Sequence, residues 1–163
     1  MSHNKSTAPA REDWCTPHCV VNRLNEFCGR VALDPCSNAN SVVNAVESYS
    51  LPDDGLAVDW YGRADYGLCF INPPFGAAKI TPWINKILVE RGSCEMILLS
   101  PASVDTKWFR PLWKADAICF VAGRLTFLGA PASATFPVSL AYWGNRRYRF
   151  ASVFEALGHV VIT

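Results

Sequence analysis

The sequence predicts an α/β fold, a mainly parallel sheet with helices packed on both of its faces. Three observations predict it. Short apolar runs recur at Leu68-Cys69-Phe70-Ile71, Met96-Ile97-Leu98-Leu99 and Ile118-Cys119-Phe120-Val121, and runs without polar alternation suit strands covered on both faces. Stretches of helical periodicity separate them, as expected of βα units. Strand after strand closes at an Asp-Pro, Asn-Pro or Ser-Pro step, where proline cannot continue a ladder.

Taken in order, residues 1–12 are polar and are expected to form a flexible arm, with 13–163 as a single domain. If residues 16–28 form a helix, Cys15 and Cys19 share a face that is otherwise apolar. Val31-Ala32-Leu33 reads as the first strand, closed by Asp34-Pro35. Leu68–Ile71 reads as a buried strand ending at Asn72-Pro73-Pro74. Residues 79–92 follow with Ile80, Trp83, Ile84, Ile87 and Leu88 on one helical face and Gly92 as the stop. Met96–Leu99 suits a central strand ended by Ser100-Pro101, and 104–114 can form the next helix. Residues 118–121 and 137–143 are later strands, the second able to pair antiparallel. Residues 150–157 read as a last helix before an edge strand, His159–Ile162. Ligands gather at the carboxyl ends of strands in such sheets, so Asp34-Pro35, Asn72–Phe75 and Ser100-Pro101 are expected to line one rim.

Half of the residues are apolar and 18% are charged, which excludes a disordered tail or linker. No apolar run approaches the roughly 20 residues needed to span a bilayer, and residues 1–12 lack a signal-peptide core. A cytoplasmic protein without a membrane partner is expected. Seven cysteines, an odd number, are expected as thiols. Cys15, His18, Cys19 and Cys28 match no common zinc spacing, so buried thiols and no metal are expected. Charge is unevenly spread: residues 1–76 hold nine acidic against five basic residues, and 77–163 hold ten basic against five acidic. The acidic half suits a cofactor bearing an ammonium and hydroxyls. Two groups in the basic half, Arg146/Arg147/Arg149 and Lys107/Arg110/Lys114, could meet phosphates.

Asn72-Pro73-Pro74-Phe75 carries the chemistry. An exocyclic base amine is a poor nucleophile because its lone pair is delocalised into the ring. A site that alkylates it must accept both N–H protons. Asn72 offers a side-chain carbonyl and Pro73 a backbone carbonyl, while the prolines rigidify the turn and bring no N–H of their own. Phe75 offers a flat surface on which an extruded base can stack.

This tetrapeptide resembles the (Asp/Asn)-Pro-Pro-(Tyr/Phe) motif of amino-group methyltransferases. The wider chain resembles the phage-type DNA N6-adenine methyltransferase family. Matching stretches run in order from Trp14-x-Thr16-Pro17 and Leu33-Asp34-Pro35-Cys36-Ser37-Asn38, through Asp54-Gly55-Leu56, Trp60 and Asn72–Gly76, to Pro82-Trp83-Ile84. Pro101-Ala102, Asp105–Phe109, Gly123-Arg124-Leu125-x-Phe127 and Phe136-Pro137-x-Ser139 complete them. The resemblance implies a Rossmann-like class I methyltransferase fold that uses S-adenosylmethionine and acts on DNA. It implies catalytic roles for Asn72, Pro73, Pro74 and Phe75, and cofactor contacts from Trp14, Thr16, Pro17, Asp34, Pro35, Cys36, Asp54, Leu56 and Asn72. Lys107, Trp108, Arg124, Arg146 and Arg147 are then expected on the substrate side.

Cys36-Ser37-Asn38 stands where many methyltransferases carry a glycine-rich turn. No acidic ribose-binding residue is evident, Glu47 being the nearest candidate. RNA-base and protein-glutamine methyltransferases share the Asn-Pro-Pro-aromatic loop, cytosine N4 enzymes more often carry Ser in place of Asn72, and a silent DNA-binding module of the same fold is a further alternative. Recognition sequence and oligomeric state are not legible.

Overall fold

The computed structural model describes residues 14–63 and 67–163, so the arm expected over 1–12 lies outside the described residues. Its strands are β1 (Leu33–Asp34), β2 (Glu47–Ser48), β3 (Leu68–Ile71), β4 (Glu95–Pro101), β5 (Ala117–Val121), β6 (Val138–Trp143) and β7 (Gly158–Ile162). They form one sheet in the order β2-β1-β3-β4-β6-β5-β7. Neighbours from β2 to β4 are parallel, whereas β6 runs antiparallel to both β4 and β5, and β7 antiparallel to β5. The carboxyl ends of β1, β3, β4 and β5 therefore share one edge. This is the expected Rossmann-like α/β architecture.

Helices cover both faces. The helices α1 (His18–Cys28) and α3 (Arg147–Phe154) lie on one face, and α2 (Ala77–Glu90) with a 3-10 turn, Arg110–Lys114, lies on the other. The central strands show why their sequences do not alternate. Leu68, Phe70, Ile97 and Leu99 join the first core with Val20, Leu24, Phe27 and Phe150. Cys69, Ile71, Met96 and Leu98 join the second with Ile80, Ile84, Ile87 and Phe109. Each strand residue meets apolar cover on its own side.

Several expectations need correction. Residues 104–114 do not form an α-helix. Their backbone bonds step by three, Phe109 N–H to Thr106, Leu112 to Phe109 and Ala115 to Leu112, which stacks buried Phe109, Leu112 and Ala115 on one face, as 3-10 geometry requires. The last helix starts at Arg147 rather than 150 and ends at Phe154. Leu88 is only half-buried, and buried Glu90 takes the end of the α2 apolar face by pairing with Lys86 at 2.8 Å. Strand β2 had no sequence signature; its two residues are held by register against β1. Cys15 is buried but lies ahead of α1, and Cys19 is exposed, so the two do not share the apolar face expected of them; Cys28 is half-buried.

Candidate active site

Strand β3 delivers the Asn72–Phe75 loop to the shared edge. Gly76, at φ 117°, turns the chain from Phe75 into α2, a conformation that favours glycine. Beneath this loop lies a cavity of about 380 Å³, lined by Asn72, Pro73, Pro74 and Phe75 together with residues that follow β1 and β2.

The orientation of Asn72 is fixed from two sides. Its backbone N–H donates to Cys36 Sγ at 3.2 Å, and its side-chain Nδ2 donates to Thr16 Oγ1 at 3.0 Å. Thr16 is buried, held just ahead of α1. Spending the amide nitrogen on Thr16 leaves Oδ1 as the free acceptor of Asn72 among the described residues. No hydrogen bond there uses the Pro73 carbonyl either. Two acceptors on consecutive residues are thus left without internal partners among the described residues.

Phe75 sits in an aromatic group. Its ring meets Phe127 and Phe136 edge-on, each at 5.7 Å, and Phe127 stacks on Trp14 at 6.1 Å. Paired backbone bonds of 3.0 Å between Cys15 and Leu128 tie the segment before α1 to the loop that follows β5.

The opposite side of the cavity is acidic. Asp34, Asp53 and Asp54 line it, and among the described residues no Lys, Arg or His does. Asp34 is 3% exposed. Burial lifts its carboxyl to about 7, against hydrogen bonds from the Cys36 N–H and the Ser37 side chain. Asp54 Oδ1 accepts the Leu56 N–H at 2.9 Å, closing a local turn. Gly55 anchors this loop: a Cβ there would stand 1.6 Å from the Pro35 carbonyl oxygen, so only glycine allows the approach. The Trp60 indole N–H then bonds the Gly55 carbonyl at 2.9 Å. Burial and the Asp34 charge push the Cys36 thiol well up, so it stays protonated.

Of the residues expected at a cofactor, Trp14, Thr16, Asp34, Pro35, Cys36, Asp54 and Asn72 line this cavity. Pro17 and Leu56 do not: Pro17 supplies the first carbonyl of α1, and Leu56 packs on the second core. Ser100 and Pro101 stay in the sheet, paired with Ser139 and Val138, instead of lining the rim. Glu47 is also elsewhere, bonded by the Tyr49 hydroxyl and by Arg63 at 2.6 Å, which hold its pKa down. Ser37, Asn38, Tyr49, Ser50, Asp53 and Phe127 line the cavity without having been singled out as site residues.

None of the five substrate-side residues lines the cavity. Lys107 and Trp108 follow β4, and Arg124 follows β5, at the same edge; Lys107 and Arg124 are exposed. Arg146 and Arg147 are a correction. Strand β6 runs the other way, so both sit at the far edge, where each donates hydrogen bonds within the protein. Arg146 Nε bonds Glu95 Oε2 at 2.9 Å and its guanidinium lies 4.4 Å from the Phe27 ring centre, while Arg147 bonds the Thr163 carbonyl at 3.0 Å. Arg149 likewise bonds the carbonyls of Phe27 and Glu26.

No curated protein matches the chain. The family model for DNA N-6-adenine-methyltransferase (Dam) matches residues 3–140 of the 163, a span that holds the whole cavity lining. A Rossmann-like sheet with Asn-Pro-Pro-Phe at the end of a central strand, matched along most of its length, places this chain in the DNA N6-adenine-methyltransferase (Dam) family.

Proposed function

We propose that the chain transfers a methyl group from S-adenosylmethionine to the N6 amine of adenine in DNA, using Asn72–Phe75 as its catalytic loop. One observation carries the reading: Thr16 takes the amide nitrogen of Asn72, which leaves its oxygen, beside the free Pro73 carbonyl, as an acceptor on the cavity.

The cavity suits the cofactor. A volume of about 380 Å³ falls in the range of small-molecule sites. Among the described residues three carboxylates and no cation line it, which favours a ligand of net positive charge. Asp34 is a buried carboxyl with no cationic partner among the described residues, and a ligand ammonium would meet that need. Asp34 would hold the ammonium, Ser37 and Asn38 the carboxylate, and Tyr49, Ser50, Asp53 and Asp54 the nucleoside end. When bound, S-adenosylmethionine supplies an electrophilic methyl on sulfur.

The chain's own residues do the rest. Asn72 Oδ1 and the Pro73 carbonyl accept the two N–H protons of the amine, drawing its nitrogen toward tetrahedral geometry and freeing its lone pair for attack. Phe75, backed by Phe127 and Phe136, offers the stacking surface for the extruded base. Positioning supplies most of the rate, because the methyl donor is already reactive. The surplus proton leaves to water after transfer.

The test offers methyl-tritiated cofactor with DNA, RNA and protein separately, followed by analysis of the modified base. Label in DNA as N6-methyladenine is expected. Label confined to RNA, to a protein amide or to cytosine N4 overturns the reading, and so does DNA binding without transfer.

A further inference from the structure

We infer that Arg91, Arg110 and Lys114 form a second DNA-binding site, a cleft that grips the duplex backbone away from the flipped base. The inference rests on the proposed DNA methylation. The three side chains, with Leu88 and Pro111, line a cleft of about 340 Å³ between the end of α2 and the 3-10 turn. All three are exposed, and among the described residues no acidic one lines the cleft. Among the described residues none of the three has an ion-pair or hydrogen-bond partner for its side chain. The contrast with Arg146, Arg147 and Arg149 is direct, since those guanidiniums are spent on Glu95 and on backbone carbonyls. Three cations that line one cleft without an internal partner repel one another, and a polyanion relieves that repulsion.

Position identifies the polyanion. Helix α2 begins at Ala77, next to the catalytic loop, and Arg91 follows its last residue. Fourteen helical residues span about 21 Å at 1.5 Å each. Lys107 marks the catalytic edge of the same face, and the 3-10 turn carries Arg110 and Lys114 away from it. Basic groups thus follow one face of the molecule from the catalytic edge toward the far edge. At 3.4 Å per base pair the offset of about 21 Å corresponds to roughly six base pairs of B-DNA. The partly exposed Trp113, held by Phe109 at 5.3 Å, adds apolar surface beside the cleft. A duplex whose target adenine occupies the cavity then lays its flanking phosphates on Arg91, Arg110 and Lys114.

The test compares the full chain with R91Q/R110Q/K114Q and R91E/R110E/K114E on two hairpin duplexes drawn from DNA the protein methylates. One has about four pairs on each side of the target, and the other about twelve. Both variants change only exposed side chains, and cofactor binding with the melting temperature verifies their fold. On the long duplex we expect affinity to fall by about tenfold or more near 0.1 M salt. The slope of log K against log salt should fall by roughly two to three, about 0.9 for each phosphate that the variant leaves unneutralised. On the short duplex, affinity and methylation should stay within about twofold. Equal binding of the long duplex by variants and parent overturns the inference, as does an equal fall in affinity on both lengths. A parent chain that methylates no DNA overturns the proposed function itself, and this inference with it.

Discussion

Asp34 sits where structure and function pull in opposite directions. Its carboxyl is buried without a cationic partner among the described residues, and burial pushes it up to about 7 from the usual 3.8. Because the fold raises this pKa, the protonated form is the favoured one. Its contribution to stability is complete below the ordinary carboxylate range and is lost as pH rises from 3.8 through about 7. Under the proposed function the ammonium of the cofactor would reverse the preference, so binding would expel the proton. Affinity for S-adenosylmethionine is predicted to weaken by up to tenfold per unit as pH falls below 7, and to level off above about 8, as titration calorimetry will show. Asp34→Asn should abolish that dependence and weaken binding at pH 8, yet raise the melting temperature of the ligand-free protein there. Residue chemistry was only partly legible in the sequence. The acceptor pair of Asn72 and Pro73 is local, written in four consecutive residues, whereas the Thr16 hydroxyl that orients the amide comes from 56 residues earlier and needs the fold to bring it in.

At the scale of elements, the cofactor side depends on two loops stitched together. Gly55 sits in the turn closed by Asp54, but it is required there because its backbone passes against the Pro35 carbonyl. Gly55→Ala would push the Asp53-Asp54 loop off Asp34-Pro35. It is expected to cost about 1–3 kcal/mol, as overpacking usually does, and to weaken cofactor binding at least tenfold, measured by calorimetry beside a thermal melt. Elements with strong local patterns could be read directly: β3, β4 and α2 carry long apolar runs or faces that only one arrangement buries. Strand β2 could not, since two residues have no period and its existence depends on register against β1. Nor could the 3-10 turn, because Phe109 and Leu112, three apart, fit a helix of either pitch over so short a stretch. Phe127 reaches the cavity only through the loop between β5 and β6, tied back by Cys15 and Leu128.

For the molecule as a whole, the antiparallel strand β6 decides which basic residues can meet DNA near the target base. It carries Arg146 to the far edge, into a group with Glu95, the Tyr142 hydroxyl and Phe27. Burial and the Glu95 bond push the Tyr142 hydroxyl pKa up, while Glu95 raises that of Arg146. Arg146→Ala leaves Glu95, 14% exposed, without its cation. The expected loss is about 1–3 kcal/mol, below the figure for a fully buried pair because 39% of the Arg146 side chain meets solvent. Denaturant melts should show that loss, while DNA affinity and methyl transfer stay within about twofold. Sequence shows three arginines close together but not their partners; Glu95 lies 51 residues before Arg146.

Replacing Asn72 by alanine tests the central claim most directly, with methyl transfer and cofactor affinity measured on the same sample. Removing one of two acceptors for the amine should cut the transfer rate by at least a hundredfold, comparable to deleting a single oxyanion-hole donor, while cofactor affinity changes by less than about threefold. Transfer at the parent rate in Asn72→Ala would contradict the account, whatever happens to binding.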